Sequence, residues 1–317
     1  MQLNQDRFGV EPDLEPIIER MSTWNAADSI RAEPLTGGIT NRNYRVDVDH
    51  ESFVVRIYGR DTELLGVNRR HEYECNLRAA ATGVAPQVIA FFPELNSIVT
   101  RFIAGTSITA DAIGTPVNIR RAARAIRRLH GSPPYPGSFS PFRAIEEYRR
   151  TATQLGCRTP GDLDGLFGCA AQLEAAMYAG GPTALVPCHN DLLNENFIDD
   201  GSIRIIDYEY AAMGDPYFDL GNFAVHHRFD DEQDARLLDS YFMAERGEEY
   251  LTRVPGDAMA RLKLMKMASD LREAMWSVVQ VELSALDFDY QAYADRHFAG
   301  FRSMWNDPRL PAWLAEL

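Results

Sequence analysis

Residues 188–207 read C-H-N-D-L-L-N-E-N-F-I-D-D-G-S-I-R-I-I-D, and the expectations for the rest of the chain start from this stretch. Four polar residues, His189, Asp191, Asn196 and Asp207, stand there among apolar ones. Phosphoryl transfer needs a carboxylate beside the attacking hydroxyl group and oxygen ligands for a magnesium ion at the phosphates. Two carboxylates and one amide can supply both. The stretch therefore predicts a phosphoryl-transfer site.

The second half of this stretch predicts a β-hairpin. Residues 197–198 and 203–206 have the composition of two short strands, and the D-D-G-S sequence at 199–202 is a turn signal. Such a hairpin would return Asp207 to the cavity that contains Asp191.

These positions predict distinct chemical roles. We expect Asp191 to be the catalytic base and Asn196 with Asp207 to bind Mg²⁺ at the phosphates of ATP. His189 is expected to brace the loop by a hydrogen bond to a carbonyl group near Asp207. A histidine with a purely structural role would occupy the same position.

Further motifs follow in a recognisable order. Asp191 and Asn196 repeat the Asp-x-x-x-x-Asn spacing of a protein-kinase catalytic loop. H-N-D at 189–191 is followed by I-D-Y-E-Y at 206–210 and F-D-L-G-N at 218–222. Together these motifs resemble the choline/ethanolamine kinase family, a branch of the aminoglycoside-phosphotransferase-like kinases.

The resemblance implies an α+β fold of the bilobal protein-kinase type. A small N-terminal lobe with an antiparallel sheet, residues 1–102, would bind the nucleotide. A larger, mainly helical C-terminal lobe, residues 103–317, would hold the catalytic and substrate-binding residues. By the same resemblance, Asp219 would brace the catalytic loop from the start of a helix.

A Gly-Gly pair lies in a predicted strand-turn-strand near the N-terminus. Glycines let backbone amides approach phosphates closely, although most such pairs are ordinary hairpin turns. The family has a similar Gly-Gly-x-Ser/Thr-Asn loop at this point. Gly37, Gly38, Thr40 and Asn41 are therefore candidates for contacting ATP.

A charged residue interrupts the predicted strand at residues 52–58. Arg56 needs an anionic partner if it faces inward, and otherwise points into water. The strand lysine of protein kinases is absent, because the only lysines are Lys263 and Lys266. The resemblance implies that Arg56 replaces it and pairs with Glu72, on the predicted helix at 68–81, unless Glu72 is simply solvated.

A second predicted hairpin, with strands at 87–92 and 97–102, leads into the junction between the two lobes. Adenine would bind at this junction, where backbone groups usually make the contact. Arg101 and Ile103 are the candidate residues.

The remaining chain has mainly helical periodicity. One helix is predicted near the N-terminus, at 14–24, and six in the C-terminal lobe, at 117–130, 144–155, 161–179, 231–244, 257–285 and 290–306. We expect no catalytic role for His130, which ends an arginine-rich helix.

The region around residues 276–294 resembles the segment of choline kinases that builds the choline pocket. Aromatic faces with acidic neighbours recognise quaternary ammonium. The residues expected to bind substrate are Glu209, Tyr210, Glu273, Trp276, Phe288 and Tyr293. Eukaryotic choline kinases have a second tryptophan at the position of Glu273, one helical turn before Trp276. The exchange would loosen the cage and favour ethanolamine, unless Glu273 faces solvent.

We therefore expect a kinase that uses ATP and Mg²⁺ to phosphorylate a small amino alcohol, choline first and ethanolamine second. Another small-molecule phosphotransferase of this fold, such as an aminoglycoside kinase, is the alternative enzyme. A nucleotide-binding pseudokinase is the non-catalytic alternative. The intact Asp191, Asn196 and Asp207 argue against it.

Composition restricts the partners and the location. The chain has 317 residues and a net charge of -14, which disfavours binding to nucleic acid or anionic membranes and favours a cationic substrate. No apolar run reaches about 18 residues, residues 1–10 lack signal-peptide features, and the four cysteines form no C-x-x-C pair. A cytoplasmic protein without membrane insertion is expected, and the sequence does not indicate its oligomeric state.

Overall fold

The structure, a computed structural model, describes residues 11–35, 41–59, 67–181, 183–243, 254–284 and 286–317. Its N-terminal part contains a five-stranded sheet of strands β1 (Ile30–Leu35), β2 (Arg42–Val48), β3 (Glu51–Ile57), β4 (Val88–Phe92) and β5 (Ser97–Arg101). The order is β1-β2-β3-β5-β4, and every pair is antiparallel. Both predicted hairpins of this part are confirmed.

Side chains on alternate positions of β2 and β3 form a core beneath this sheet. Val46 and Val55 are fully buried there, and the Trp24 ring lies 5.0 Å from that of Phe53. The predicted helix at 14–24 is shorter than expected. Helix α1 (Glu15–Arg20) ends at Met21, and a 3₁₀ turn follows.

Helix α2 (Arg69–Ala80) connects β3 to β4 and closely matches its predicted bounds. Asn68 caps its start by accepting hydrogen bonds from the backbone N–H groups of Arg70 and His71, each at 3.1 Å. Its buried Cys75 and Ala79 pack into the core of the helical part and not into that of the sheet. Helix α2 therefore belongs to the helical core, although it connects two strands of the sheet.

The helical part packs around one long helix. The helices are α3 (Ala110–Ile113), α4 (Pro116–His130), α5 (Pro141–Leu155), α6 (Leu163–Met177), α7 (Pro216–His226), α8 (Asp231–Phe242), α9 (Ala258–Leu283), α10 (Tyr290–Trp305) and α11 (Leu310–Ala315). Helix α9 is the longest, and α5, α7 and α10 pack along it. All six predicted helices of this part are present. The helix start implied at Asp219 is also present, as α7, whereas α3 and α11 were missed.

Two small sheets include or adjoin residues 188–207. One consists of β6 (Thr106–Ser107), β8 (Phe197–Asp199) and β9 (Ile203–Ile205), and the other of β7 (Val186–Cys188) and β10 (Ala212–Gly214). The β8–β9 pair is the predicted hairpin, with Phe197 opposite Ile205. The α+β class, with a small antiparallel sheet and a larger helical part, is thus confirmed. The division of the chain at residue 102 stays a prediction.

Within the described ranges, no helix is both long and apolar enough to cross a membrane. The four cysteines are free thiols, and Cys75 and Cys188 are buried.

Candidate active site

The first turns of α7 hold the catalytic loop, residues 189–196, by hydrogen bonds to its backbone. The carboxylate of Asp219 accepts hydrogen bonds from the backbone N–H groups of His189, at 2.7 Å, and Asn190, at 2.6 Å. The side-chain oxygen of Asn222 accepts one from the backbone N–H of Leu192, at 2.6 Å. These bonds fix the backbone on both sides of Asp191. The expected bracing contact of Asp219 is present, and Asn222 adds a second one.

The hairpin brings its two ends together as predicted. The ring Nε2 of His189 lies 2.9 Å from the carbonyl oxygen of Ile206, next to Asp207. Burial lowers the pKa of His189, so this ring is neutral at pH 7 and suited to a bracing role. The side-chain amide of Asn196 donates to the carbonyl oxygen of Asp191, at 2.9 Å. Its amide oxygen is therefore left to act as a ligand.

A row of alternating charges leads from α2 to the hairpin. Arg56 Nη1 lies 3.4 Å from Glu72 Oε1, which is the expected pair, and 2.5 Å from Asp207 Oδ1. Arg69 Nη1 lies 2.8 Å from Glu72 Oε2 and 3.2 Å from Glu209 Oε2. The inward-facing alternative for Arg56 is therefore correct. Since Glu72 is buried, it is not a solvated surface charge.

The nucleotide-side candidates divide into two groups. Asn41 reaches the charged row, because its Oδ1 accepts from Arg69 Nη2 at 3.3 Å and its Nδ2 donates to Glu209 at 3.5 Å. The other loop candidates, Gly37, Gly38 and Thr40, lie outside the described residues.

The junction candidates lie apart from the charged row. The Arg101 side chain pairs with Glu51 at 2.6 Å and lies over the ring of Phe53, on the sheet. The expected place of Arg101 at the adenine junction stays a prediction. Ile103 is half-buried, and its carbonyl oxygen accepts from the backbone N–H of Gly105.

The carboxylates around the catalytic loop influence one another. Burial raises the pKa of Asp191 to about 8, with further contributions from Glu273, Glu209 and Asp207, while Arg272 opposes the shift. Burial also raises the pKa of Glu209 to about 7. For Asp207, Arg56 outweighs burial and holds the pKa below its usual value. Asp191 and Asp207 therefore lie in one electrostatic environment, as a shared site requires.

This environment fits a hard divalent cation. Mg²⁺ takes oxygen ligands and usually keeps several waters, so one amide and one or two carboxylates are sufficient. The amide oxygen of Asn196 and the carboxylate of Asp207 have this chemistry. A bound cation would also offset the mutual repulsion of Asp191, Asp207 and Glu209.

On the opposite side of Asp191, α9 contributes a buried ion pair. The guanidinium of Arg272 is only 1% exposed, and its Nη1 lies 2.5 Å from Glu273 Oε1 and 3.4 Å from Asp191 Oδ1. The same group lies over the Tyr210 ring, 4.7 Å from its centroid.

The position of Glu273 excludes one of the two expectations made for it. It is 2% exposed, so the solvent-facing alternative is wrong. Its Oε1 faces Arg272, with Asn222 Nδ2 at 3.4 Å and His226 Nε2 at 3.5 Å, and its Oε2 accepts from the Tyr293 hydroxyl at 3.0 Å. Despite burial, Arg272 holds the pKa of Glu273 well below its usual range. Glu273 is thus an ionised carboxylate already engaged by protein groups.

The predicted aromatic residues do come together. Trp276 Nε1 donates to the Tyr210 hydroxyl at 3.2 Å, and the Trp276 and Tyr293 rings are 6.2 Å apart. The Phe288 ring lies 5.9 Å from that of Tyr293 but is 46% exposed, at the outer edge of the group. Tyr210, Trp276 and Tyr293 therefore form one aromatic cluster, with Phe288 at its exposed edge.

Residues 31–254 match the model of the phosphotransferase enzyme family, which covers the sheet, the catalytic loop and the bracing helix α7. The chain belongs to this family. It is accordingly an ATP-dependent phosphotransferase, and the resemblance to choline/ethanolamine and aminoglycoside kinases is confirmed.

Individual relatives of this phosphotransferase support the same conclusion. Human ethanolamine kinase 2 is 27% identical over 326 residues, which span 90% of this chain and 81% of the human protein. The crystal structure of a choline/ethanolamine kinase family protein from Mesorhizobium loti is 31% identical, covers 90% of this chain and 91% of its own, and has a TM-score of 0.76. The choline kinase LicA from Streptococcus pneumoniae has a TM-score of 0.73 at 24% identity, which supports the fold.

Arg272 is the main residue of the phosphotransferase site that was not predicted from the sequence. An arginine beside a glutamate on a helix normally indicates a solvated face. The available signal was the apolar surrounding of α9, where Leu271, Ala274 and Met275 leave no continuous polar face.

Proposed function

We propose that the protein transfers the γ-phosphoryl group of ATP to the hydroxyl group of a small amino alcohol, with ethanolamine preferred over choline. The main support is the convergence of Asp191, Asn196 and Asp207 at one end of the β8–β9 hairpin, beside the pocket of Tyr210, Trp276 and Tyr293. The preference reverses the order expected from the sequence.

The proposed roles follow the positions of the groups. Asp191 accepts the proton of the substrate hydroxyl, because its carboxylate lies on a rigidly held loop between the charged row and the aromatic pocket. Asn196 and Asp207 would hold Mg²⁺, which would neutralise charge on the phosphates. Arg56 orients Asp207 and presents a fixed cation on the nucleotide side.

The nucleotide is proposed to bind between the five-stranded sheet and the hairpin. Gly37, Gly38, Thr40 and Asn41 would cover its phosphates, and backbone groups near Ile103 would contact adenine. In this proposal residues 1–102 contribute most of the nucleotide contacts, and residues 103–317 contribute the catalytic loop and the acceptor pocket.

The acceptor pocket favours an ammonium group that donates hydrogen bonds. A primary ammonium has three N–H donors, whereas the quaternary ammonium of choline has none and depends on aromatic faces. Here a carboxylate, Glu273, stands where choline kinases have a second tryptophan. Glu209 remains as an acidic group beside the pocket. The curated relatives named ethanolamine kinases support the same preference.

An aminoglycoside kinase is less well supported, because the relatives at 27% identity are named ethanolamine kinases. A pseudokinase is opposed by the intact catalytic set and its bracing contacts.

A coupled ADP-release assay with ATP and Mg²⁺ tests the proposal. We expect turnover with ethanolamine, a lower kcat/KM with choline, and none with kanamycin or hygromycin B. The substrate assignment would be contradicted if only an aminoglycoside were phosphorylated. It would also be contradicted if neither ethanolamine nor choline were phosphorylated.

A further inference from the structure

The guanidinium of Arg272 is buried next to the catalytic loop. It is held from three sides, by Glu273 Oε1 at 2.5 Å, by Asp191 Oδ1 at 3.4 Å and by the Tyr210 ring at 4.7 Å. Trp276, one helical turn further along α9, donates to the hydroxyl of the same tyrosine. A cation of the protein itself is therefore part of the aromatic pocket.

These contacts are the ones that a bound onium group would use. A quaternary ammonium is held by an aromatic face and a nearby carboxylate, without hydrogen bonds. On the protein side, the Tyr210 face is covered by the guanidinium, and both oxygens of Glu273 are engaged, one by Arg272 and the other by Tyr293. The guanidinium of Arg272 therefore already occupies the position, beside Tyr210 and Glu273, that the onium group of an acceptor would take.

A purely structural role does not explain this placement well. Taking a guanidinium out of water is costly, and an apolar side chain of similar size usually packs a helix interface at least as favourably. Arg272 instead connects the catalytic-loop carboxylate to the wall of the acceptor pocket. Its position therefore points to a role in choosing the acceptor.

We propose that Arg272 is a specificity-determining residue, which takes the place beside Tyr210 and Glu273 that a quaternary ammonium needs and thereby selects a primary amine. This inference rests on the proposed function, since it concerns which amino alcohol the same pocket accepts. The ammonium of the preferred acceptor is held by hydrogen bonds to Glu209, the acidic group that remains beside the pocket, and choline cannot donate such bonds.

The test compares Arg272→Ala with the wild type. The ratio of kcat/KM for choline to that for ethanolamine is expected to rise about tenfold, equivalent to about 1.4 kcal/mol, because the substitution exposes the Tyr210 face and frees one oxygen of Glu273. Arg261→Ala is the matched control. Arg261 lies on the same helix, pairs with Asp257 at 2.6 Å and lies over a tyrosine ring, that of Tyr217. Its replacement is expected to leave the ratio unchanged.

Arg272→Lys covers the case in which Arg272→Ala does not fold. Lysine keeps the charge, but its compact ammonium cannot cover the Tyr210 ring as a planar guanidinium does. We expect the ratio to rise about threefold. A ratio within twofold of the wild type, in whichever of the two variants is folded by circular dichroism, would overturn the inference.

Binding titrations of choline and ethanolamine by calorimetry, on the same proteins, separate this inference from the proposed function. If the wild type phosphorylates neither alcohol, the proposed function fails. The relative affinities of the variants then decide the role of Arg272: a shift toward choline supports it, and unchanged relative affinities reject it.

Discussion

At the scale of single residues, the catalytic loop combines rigid backbone with mutually repelling carboxylates. Asp219 and Asn222 hold the backbone around Asp191, while Arg56 and Arg272 approach the acidic cluster from opposite sides. Each carboxylate thus has a different counter-charge. Such differences allow neighbouring acids to act in one case as a base and in another as a metal ligand.

Replacing Asp191 by Asn should lower kcat by roughly a thousandfold, because the amide cannot accept the proton of the acceptor hydroxyl. Nucleotide binding should be retained, since Arg56 and Asp207 are unchanged. Steady-state kinetics and titration with a non-hydrolysable ATP analogue measure the two quantities. Asp200→Asn, at the exposed turn of the hairpin, is the control. If the Asp191→Asn variant kept more than a tenth of the wild-type kcat, Asp191 would not be the catalytic base.

Replacing Asn196 by Ala should raise the Mg²⁺ concentration needed for half-maximal activity by about tenfold, because one oxygen ligand is lost. A magnesium titration at saturating ATP and amino alcohol measures the change. Rescue of most of the activity at high Mg²⁺ is expected. An unchanged magnesium requirement would show that Asn196 is not a ligand.

At the scale of secondary structure, α7 and α9 determine how the catalytic loop meets the acceptor pocket. Asp219 and Asn222 reach the loop from α7, and Asn222 also donates to Ser269 and lies 3.4 Å from Glu273 on α9. The two helices must therefore pack closely. Gly221 permits this, because a Cβ atom there would lie 2.7 Å from the backbone carbon of Met265.

Gly221→Ala should destabilise the protein by about 1–3 kcal/mol, since the added methyl group meets backbone and not a flexible side chain. Thermal unfolding measures the effect. The matched control is Gly168→Ala on α6, where a Cβ atom has nothing within 4 Å and helix propensity predicts a gain of up to ~1 kcal/mol. If both variants shifted the melting temperature in the same direction, the close approach of α7 and α9 at Gly221 would not be what determines the stability of the Gly221→Ala variant.

Helix α7 also illustrates the limits of prediction at this scale. Residues 217–224 are buried on every side of the helix, so the segment has no polar face and no clear helical periodicity. By contrast, α4 and α5 have one buried and one exposed face, and their ends were predicted within three residues. Periodicity therefore identified the helices at the surface better than a short helix inside the core.

At the scale of the whole molecule, two buried cores are linked through α2 and the charged row between Glu72 and Asp207. Buried polar groups within these cores make the stability of the whole chain depend on pH. His227 is the clearest case. Its Nδ1 lies 2.6 Å from the carbonyl oxygen of Phe223, and its buried Nε2 has no hydrogen-bond partner among the described residues.

Burial lowers the pKa of His227 to about 4, from an ordinary value near 6.5. Since the unfolded chain binds the proton more readily, the stabilising contribution is complete above pH 6.5 and is lost as the pH falls toward 4. We expect His227 to account for a loss of roughly 2 kcal/mol between pH 7 and pH 5.

Denaturant unfolding at the two pH values measures this loss. The free energy of unfolding of His227→Gln should fall less between the two pH values than that of the wild type. His71→Gln, at an exposed position, should lose as much as the wild type. Equal pH dependence in all three proteins would assign the acid sensitivity to other groups.

Local sequence was sufficient to predict several features of this protein. The hairpin that follows the catalytic loop was predicted from turn residues and strand composition. The α+β class and the pairing of Arg56 with Glu72 were implied by the family resemblance that the short motifs carry. The contacts of Arg272 with Asp191 and Tyr210 depend on how α9 packs against segments more than sixty residues away in the sequence. Neighbouring residues in the chain do not reveal a counter-charge that comes from such a distance, so only the tertiary structure decided that a buried arginine lies between Asp191, Glu273 and Tyr210.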